Sequence, residues 1–462
     1  DPERTGIRLR NNDMKLTFRS PVGVMALSDS LVGVMPAIDS MLVAQRVDMV
    51  KLNRHLPHFK ATFTSKNKNI VHTYLAGMGT KFEALEVNLE KSDEMQLDVR
   101  LKKLDVNDVL FDDVLLSGYT QCDSLRYAIN VANNPGNQEL LKWAEIKGSI
   151  SDNRADVFVT QIDHLDDVGF KFGVKAALAD SIVTANVYPN VARIAFRDWG
   201  VNPGNFVAYD MGKSMFKADM MLSASKTSFL NIYTDRDGNF HKGIHLDLDG
   251  ILLKDWLVLS PFSPPIDGDL SGNIVLNYND KYYWGIGSIL VDRLAYGKNK
   301  IGDLGVELKL AMADEGSKLF ARADMDLDKQ RIMTLKGYKK DLLDMNELKL
   351  DLLVDRLPMK KMSAFLPENT GTVDGYLNGK MNIGGSVEAP TFNGYIQMDT
   401  ASVSLPAFGT KLTFDSQPIP VDDGRVVFED YDLYGVNGKP LSINGFVDLN
   451  LSLDKIFTWL TM

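Results

Sequence analysis

The sequence predicts an all-β protein built on an elongated antiparallel sheet. Two observations predict this fold: a strand pattern that occurs twice, and an alternation of apolar and polar residues along most of the chain. Helical patterns are few and short. The 462 residues include 45% apolar and 24% charged side chains, proportions typical of a folded chain, so disorder is not expected.

The repeated pattern covers Asp267 to Leu276 (DGDLSGNIVL) and Asp374 to Ile383 (DGYLNGKMNI). In both copies we expect an Asp-Gly turn to open a strand whose apolar side chains occupy every second position. Further strands that contain glycine follow each copy. A repeat unit of strands with one apolar face predicts an extended array, because each unit buries that face only beside its neighbours.

The same alternation recurs elsewhere, for example in Met95–Leu101, Phe170–Leu178 and Leu319–Leu327. Strands that are covered on one face alternate in this way, whereas parallel strands covered on both faces are apolar throughout. Asp237-Gly238 and Asp423-Gly424 are dipeptides typical of hairpin turns. We therefore expect an antiparallel meander with one apolar face and one polar face.

Two segments predict short helices. Lys68 to Met78 carries apolar residues at helical spacing, and Lys360 to Leu366 ends before Pro367. No apolar run approaches the ~18 to 20 residues of a membrane-spanning helix, so none is expected. We expect the chain to be part of a longer protein, since it starts without Met and ends in KIFTWLTM, which is typical of the interior of an element.

The charge balance disfavours one function class, and the cysteine content fixes no compartment. The 51 basic and 61 acidic residues give a net charge of -10, and no continuous cationic stripe stands out, which disfavours nucleic-acid binding. The single cysteine, Cys122, forms no intramolecular disulfide. One cysteine is compatible with a reducing or an oxidising compartment.

Two segments imitate metal sites. His55 and His58 have a spacing found in zinc sites, but Pro57 lies between them and no cysteine or paired carboxylate is near. The segment Asp235–Asn239 starts like a calcium loop, but the Gly and Glu that such a loop needs further on are missing. We expect a tight turn there and no metal at either segment.

No pattern points to catalysis. Asp247 and Asp249, and likewise Asp324, Asp326 and Asp328, occupy the polar positions of their strands, where solvent is expected. Nucleophile-elbow, phosphate-loop and dinucleotide-loop patterns are not found. The sequence therefore predicts a protein that is not an enzyme and that uses no cofactor.

The apolar face is the remaining candidate for function. In a sandwich or a barrel this face would be closed as an ordinary core, which is the commoner outcome. The predicted strands show no Greek-key grouping and no opposing set. An open face would exceed the few hundred square ångströms of apolar surface that a monomer usually exposes, so it would need a ligand.

Several motifs together resemble a known family. They are the repeated G-x-L-x-G strand, Glu388–Gly394 (EAPTFNG), Ile419–Phe428 (IPVDDGRVVF) and Leu441–Gly445 (LSING). Their order is similar to that in the TamB branch of the AsmA-like proteins of Gram-negative bacteria, in the form found in Bacteroidetes. The wider relatives are bridge-like lipid transfer proteins with repeating β-groove modules. The resemblance covers Ile244 to Leu453, and Tyr282–Gly285 departs from the pattern.

The resemblance implies a taco-like open groove with an apolar interior. It implies a periplasmic protein that binds or conducts phospholipid between the inner and outer membranes, and a role in outer-membrane protein assembly. The implied partners are phospholipid acyl chains and an outer-membrane TamA-like barrel protein, with an inner-membrane anchor outside this sequence. Residues 1–243 would form the N-terminal part of the groove, and residues 244–361 and 362–462 two groove repeats.

The residues expected to line the groove are the apolar side chains at alternate positions of the later strands. They are Leu246, Leu248, Leu270, Ile274, Leu276, Val306, Leu308, Leu310, Leu350, Leu352, Leu377, Met381, Ile383, Ile396, Met398, Val447, Leu449 and Leu451.

Three other interpretations stay open. An outer-membrane β-barrel also alternates, but its aromatic girdles are not visible among the 22 Phe, 15 Tyr and 5 Trp. A surface-exposed β protein that binds or processes glycans would bring a carboxylate pair into a cleft if it were an enzyme. A scaffold that offers strand edges to other β proteins has the same pattern as a lipid groove.

Overall fold

The structure is a computed structural model. It describes residues 4–11, 13–44, 56–107, 109–137, 141–189, 191–257, 264–278, 283–313, 318–339, 349–365, 371–386, 390–405 and 409–448. The chain is 71% strand and 9% helix. Every strand pairing between described residues is antiparallel, in β-meanders and hairpins. The predicted all-β antiparallel fold with few helices is confirmed.

The chain divides into two compact units. The first unit is Asp1–Ala224 with Val258–Ser263, and the second is Ser225–Leu257 with Pro264–Met462. Each unit is built from strands that mostly pair with their neighbours along the chain. Such local pairing follows from the short turns between strands of alternating pattern.

The strands of the first unit are β1 Thr5–Asn11, β2 Met14–Ser20, β3 Phe59–Lys66, β4 Thr80–Lys81, β5 Ala84–Lys91, β6 Met95–Val106, β7 Val109–Gln121, β8 Ser124–Asn133, β9 Leu141–Ser151, β10 Arg154–Asp163, β11 Val168–Ala179, β12 Ile182–Val187, β13 Arg193–Ile194, β14 Arg197–Asp198, β15 Gly200–Val201, β16 Phe206–Asp210 and β17 Met215–Ser225, which ends at the boundary. Its described helices are α1 Val24–Ala44 and α2 Ile70–Ala76.

The strands of the second unit are β18 Ser228–Tyr233, β19 Gly243–Leu252, β20 Ile266–Tyr278, β21 Tyr283–Tyr296, β22 Asn299–Ala313, β23 Lys318–Leu327, β24 Gln330–Lys339, β25 Lys349–Pro358, β26 Thr372–Gly385, β27 Pro390–Leu405, β28 Thr410–Phe414, β29 Pro418–Asp422, β30 Arg425–Tyr434 and β31 Pro440–Asp448. Its described helices are α3 Leu253–Leu257, α4 Met359–Met362 and the 3₁₀ turn Ser363–Phe365. From β18 to β27 each strand pairs with the next one along the chain.

The Asp-Gly dipeptides of the repeat are bulges, so the prediction that they open the strands as turns is wrong. Gly268 (φ 152°) lies inside β20 and Gly375 (φ 95°) lies inside β26, each at a break in the pairing register. A Cβ on Gly375 would lie 2.4 Å from the Ala401 Cα. Glycine supplies the positive φ that either a bulge or a turn needs, so the dipeptide alone does not separate the two.

Asp423-Gly424 is a hairpin turn, as predicted. It joins β29 to β30, with φ of 45° at Asp423 and 73° at Gly424. The Asp423 N–H donates to the Asn393 Oδ1 at 2.9 Å. Two consecutive positive φ angles are those of the primed turns that match the twist of paired strands.

The repeat is longer than the two strand segments that revealed it. A bulge at Gly250 lies two residues before the end of β19, which leads into α3, and a bulge at Arg356 lies two residues before the end of β25, which leads into α4. The Arg356 N–H donates to the Asn378 Oδ1 at 2.8 Å, and Gly250 makes the matching contact with the Ser271 Oγ at 3.4 Å. The unit is therefore a strand, a bulge, a short helix and two more strands, repeated once.

The bulged ends of the strands in the second unit are closed by a hydrophobic core. Its buried residues are Ile301, Leu327, Ile332, Val354, Leu357 and Ala364. Ala364 belongs to the 3₁₀ turn after α4, so this turn covers the ends of β22 to β25. A second core, centred on Ile419, Val421 and Tyr431, lies beneath β29 and β30.

Truncation of this core should destabilise the second unit. We expect Leu357→Ala to lower the free energy of unfolding by about 2 to 4 kcal/mol, because Leu357 is 9% exposed and leaves a cavity. Leu353→Ala in the same strand should cost under about 1 kcal/mol, since Leu353 is 50% exposed. Denaturant titration of both variants checks this. Equal losses would contradict the placement of the core.

The helices agree only in part with the sequence. The predicted helix at Lys68–Met78 is α2, which Asn69 caps by accepting from the N–H groups of Val71 and His72. The expectation that no segment is long and apolar enough to span a membrane is wrong. Within α1, Val24–Met41 has a mean hydropathy of 1.3 and is long and apolar enough to cross a membrane, by length and composition only. Asp29 and Pro36 interrupt the apolar residues of this helix, so the sequence shows no continuous apolar stretch of that length there.

Candidate functional site

The strand register places the predicted lining residues on one face of the second unit. Partners in an antiparallel pair point to the same side of a sheet, so a face can be followed from strand to strand. One row of partners contains no charged side chain. It runs Leu246, Ile274, Gly287, Leu308, Ala323, Leu335, Leu352, Met381, Gly394, Val421, Val426 and Val447.

The neighbouring rows are apolar as well. On one side the row is Ile244, Leu276, Gly285, Leu310, Ala321, Gly337, Leu350, Ile383 and Phe392. On the other side it is Leu248, Gly272, Ile289, Val306, Met325, Met333, Val354, Gly379, Ile396 and Ile419. Leu270, Leu377 and Met398 belong to the same face beyond the bulges. Leu449 and Leu451 lie outside the described residues.

The size of the side chains on this face alternates between strands. Large residues stand on β20 and β22, while Gly285 and Gly287 of β21 and Ala321 and Ala323 of β23 leave shallow furrows between them. A Cβ on Gly287 would lie 3.4 Å from the Ile274 Cγ1, which is ordinary contact. The furrows form a cavity of about 270 Å³. Small residues at the floor therefore create the space.

We name the part of the face around this cavity the open segment. It consists of Ile274, Leu276, Leu308, Leu310, Ala321, Ala323, Leu335 and Leu350. Leu276 is 48% exposed and Leu308 is 36% exposed, and none of the eight is among the buried residues of the core. These exposed fractions are high for leucines that share a face with so many other apolar residues.

Four other predicted lining residues are more enclosed than the open segment. Leu352 and Leu377 pack against the core that α4 closes, and Met381 and Ile396 pack against the core beneath β29. Val447, in the last described strand, is 54% exposed. The apolar face is thus closed at the bulged strand ends and beside β29, and it is open at the opposite ends of β20 to β25.

The opposite face of the same strands is polar but not uniformly so. Lys309, Arg322, Lys336 and Asp351 are direct cross-strand partners there and line a second hollow of about 340 Å³. Phe320 is 45% exposed on this face. The two faces therefore differ in charge more than in the presence of apolar groups.

Asp324 on the polar face is buried, so the prediction that it is solvated is wrong. Its side chain is 5% exposed, and it accepts from the Arg322 Nε at 2.7 Å and from the Thr334 Oγ1 at 2.8 Å. Arg331 lies 2.8 Å away. The hydrogen bond from Arg322, assisted by Thr334 and Arg331, lowers the pKa of Asp324 from 3.8 to about 2. The long arginine side chains cover a carboxylate that alternation alone places in water.

This pKa shift predicts an acid dependence of stability. A carboxyl group whose pKa is lowered on folding stabilises the fold above its usual pKa, and the contribution is lost as pH falls from about 4 to about 2. We expect Asp324→Asn to cost on the order of 1 kcal/mol at neutral pH, since the exposed arginines are screened by water. The difference from the unmodified chain should shrink below pH 3 or so, as measured by denaturant titration at several pH values. A difference that does not change with pH would contradict this account.

Other carboxylates expected to be solvated are hydrogen-bonded within the sheet. Asp249 accepts from the Ser271 Oγ at 2.8 Å, and burial, assisted by a hydrogen bond from Tyr233 to Asp247, raises the pKa of Tyr233. Asp237 closes the predicted tight turn by accepting from the Asn239 N–H at 2.8 Å. Among the described residues no cluster of His, Cys, Asp and Glu could hold a metal ion. His55 lies outside those residues.

The first unit has an apolar face of its own, which the sequence did not reveal in detail. One row of partners in it crosses ten strands without a charge. It runs Leu9, Leu16, Phe63, Val87, Val99, Leu116, Ile129, Ile146, Val159 and Phe172. The repeated motif is missing here, so the signal that would have found it is the register of the alternating strands.

Comparison of the chain with protein-family models, with curated proteins and with solved structures found no match. The arguments for function therefore rest on the register, the exposure and the chemistry of the two faces.

Proposed function

We propose that the second unit binds the acyl chains of a phospholipid along its apolar face, with the open segment as the entry. The observation that carries this proposal is the set of three adjacent rows of partners without a charged side chain, partly exposed at the open segment. A lipid tail would cover leucines that water otherwise contacts. Each buried methylene would contribute about 0.8 kcal/mol.

The length of the open part of the rows supports binding of an extended acyl chain. From Leu276 of β20 to Leu350 of β25 there are five strand spacings of about 4.8 Å, so an uncharged row is accessible for about 24 Å. Beyond β25 the apolar face continues through Met381, which packs against the second core. A tail that slides along the row meets no charge, while its head group stays in water. Such movement needs no catalytic residue, metal or cofactor, so we propose a lipid carrier and not an enzyme.

The cellular setting rests on the resemblance to TamB-like proteins. We propose that the chain is a periplasmic part of a protein anchored in the inner membrane. It would pass phospholipid toward the outer membrane, and a TamA-like outer-membrane barrel would be its partner. A contribution to outer-membrane protein assembly belongs to the same proposal. Crosslinking in cells to outer-membrane proteins tests this setting separately from lipid binding.

Site-specific photo-crosslinking tests the lipid proposal. The photoreactive residue p-benzoylphenylalanine in place of Leu308 should crosslink to phospholipid, because its ring would lie in the furrow beside Ala323. The same residue in place of Leu353, which is 50% exposed on the opposite face, should not. Mass spectrometry of the crosslinked protein provides the readout. Equal lipid crosslinks at both positions would contradict the proposal.

A further inference from the structure

Helix α1 is inserted between two strands that are hydrogen-bonded neighbours. β2 ends at Ser20 and β3 begins at Phe59, and Arg19 is the direct partner of Lys60. The Ser20 Oγ donates to the His58 carbonyl oxygen at 2.7 Å. The chain therefore leaves the sheet and returns to it at the same end.

The helix has apolar side chains in contact with solvent. Met25 is 83% exposed, Val32 is 70% exposed and Met35 is 62% exposed. None of the described side chains of Val24–Met41 is buried in the protein. A helix of this composition in a soluble domain normally packs its apolar side chains against another element. These side chains lack such cover among the described residues.

The strand connection argues against a single membrane crossing. The 21 residues of α1 would reach about 32 Å, enough for a bilayer, but β3 would then lie on the far side from β2. The return through residues 45–58 would carry Arg46, Lys51 and Arg54 across hydrocarbon. Charged residues are too costly there. A helix whose two ends stay on one side lies along the interface.

The strands that flank α1 are strongly basic. Described residues 4–20 and 56–69 contain one acidic residue, Asp13, whereas the whole chain has a net charge of -10. The basic residues are all exposed: Arg4, Arg8, Arg10, Lys15, Arg19, Lys60, Lys66 and Lys68. Only Lys60 has an ion pair among the described residues, with Glu90 at 2.6 Å. Helix α1 itself has no basic residue and contains Asp29 and Asp39, so the cations lie on the strands.

We infer that α1 and β1 to β3 dock on an anionic lipid bilayer. The apolar residues of α1 would enter the interface, and the basic side chains of the strands would meet the lipid phosphates. An apolar helix and a basic patch together supply the two contributions that stable interfacial binding requires. This docking is independent of the lipid groove of the second unit.

Vesicle sedimentation of the full chain tests the inference. The chain should sediment with vesicles of phosphatidylcholine mixed with phosphatidylglycerol and much less with phosphatidylcholine alone. High salt should weaken the binding. Arg8→Ala with Arg10→Ala should weaken it about 25-fold, at roughly fivefold for each cation. Met25→Asp with Val32→Asp should weaken it at least about tenfold.

Matched variants control for nonspecific effects. Leu165 is 81% exposed far along the chain, so Leu165→Asp should bind vesicles like the unmodified protein. Arg154→Ala with Lys171→Ala removes two exposed cations of β10 and β11 and should also change little. Circular dichroism of each variant verifies the fold.

Three results would overturn the inference. They are unchanged binding by the α1 and β1 variants, equal binding to both vesicle types, and resistance of the bound protein to alkaline extraction, which would indicate a spanning helix. A change in oligomeric mass on Met25→Asp with Val32→Asp, without a change in vesicle binding, would instead indicate a second copy as the occupant. Replacing Leu276 and Leu308 of the open segment by Asp should remove bound lipid and leave vesicle docking intact, so the two proposals fail separately.

Discussion

Replacing Leu276 and Leu308 by Asp should reduce phospholipid binding by the second unit at least about tenfold. Both side chains line the open segment, and a carboxylate in each would have to lose water when an acyl chain arrives. The free protein should tolerate the changes, because the two leucines are 48% and 36% exposed. Lipid bound per protein, measured by mass spectrometry after purification, checks the prediction.

Leu353→Asp is the matched control for this experiment. Compared with Leu276→Asp or Leu308→Asp alone, it adds the same charge and the same change in volume, but on the opposite face of β25, where Leu353 is 50% exposed. Its lipid content should equal that of the unmodified chain. If Leu353→Asp and the open-segment variant lost similar amounts of bound lipid, an added charge would lower lipid binding on either face, which would contradict the proposal.

Filling the furrows should block lipid without adding charge. We expect Gly287→Val combined with Ala323→Leu to occupy the cavity of about 270 Å³ and to lower lipid binding at least about tenfold. Gly287 has no positive φ, and an added Cβ would contact Ile274 and Leu308 at 3.4 and 3.5 Å, so a side chain fits. Valine also has a higher strand propensity than glycine, so stability should not fall. Lipid content and thermal unfolding are the two measurements.

The polar face again offers a control. Gly305 and Ala311 of β22 lie on that face, and a Cβ on Gly305 would have only the Asp326 Cβ near it, at 3.9 Å. Gly305→Val with Ala311→Leu adds the same groups and should leave lipid binding unchanged. If the furrow-filling variant kept its lipid while it remained folded, the open segment would not be the binding surface.

The fold class and the apolar face followed from the sequence because strand side chains alternate with a period of two. Ile274 and Met381 occupy apolar positions of the alternation in their segments, which assigns both to the apolar face. The strand register agrees, since both residues belong to one row of cross-strand partners. Parity does not tell which part of a face is covered. Leu352 packs against a core while Leu308 is open, and this difference depends on where α4 lies.

Other features depended on contacts that local pattern does not encode. Gly268 and Gly375 lie in bulges because the pairing with the next strand continues on both sides of each glycine. An Asp-Gly dipeptide does not indicate whether the pairing continues or ends in a turn. Asp324 is buried by arginines from its own strand and the adjacent one, although its position in the alternation is polar. Helix α1 was missed because its polar residues interrupt its apolar runs.

Native mass spectrometry of the detergent-free chain is the most direct test of the claim that the apolar face binds phospholipid. The chain should be purified with Met25→Asp and Val32→Asp in place, so that vesicles held by α1 do not contribute. The proposal predicts adducts with the mass of phospholipid, lost when Leu276 and Leu308 are also replaced by Asp and kept in the Leu353→Asp control. A chain that carries no phospholipid, or that keeps it in all variants alike, would contradict the proposal.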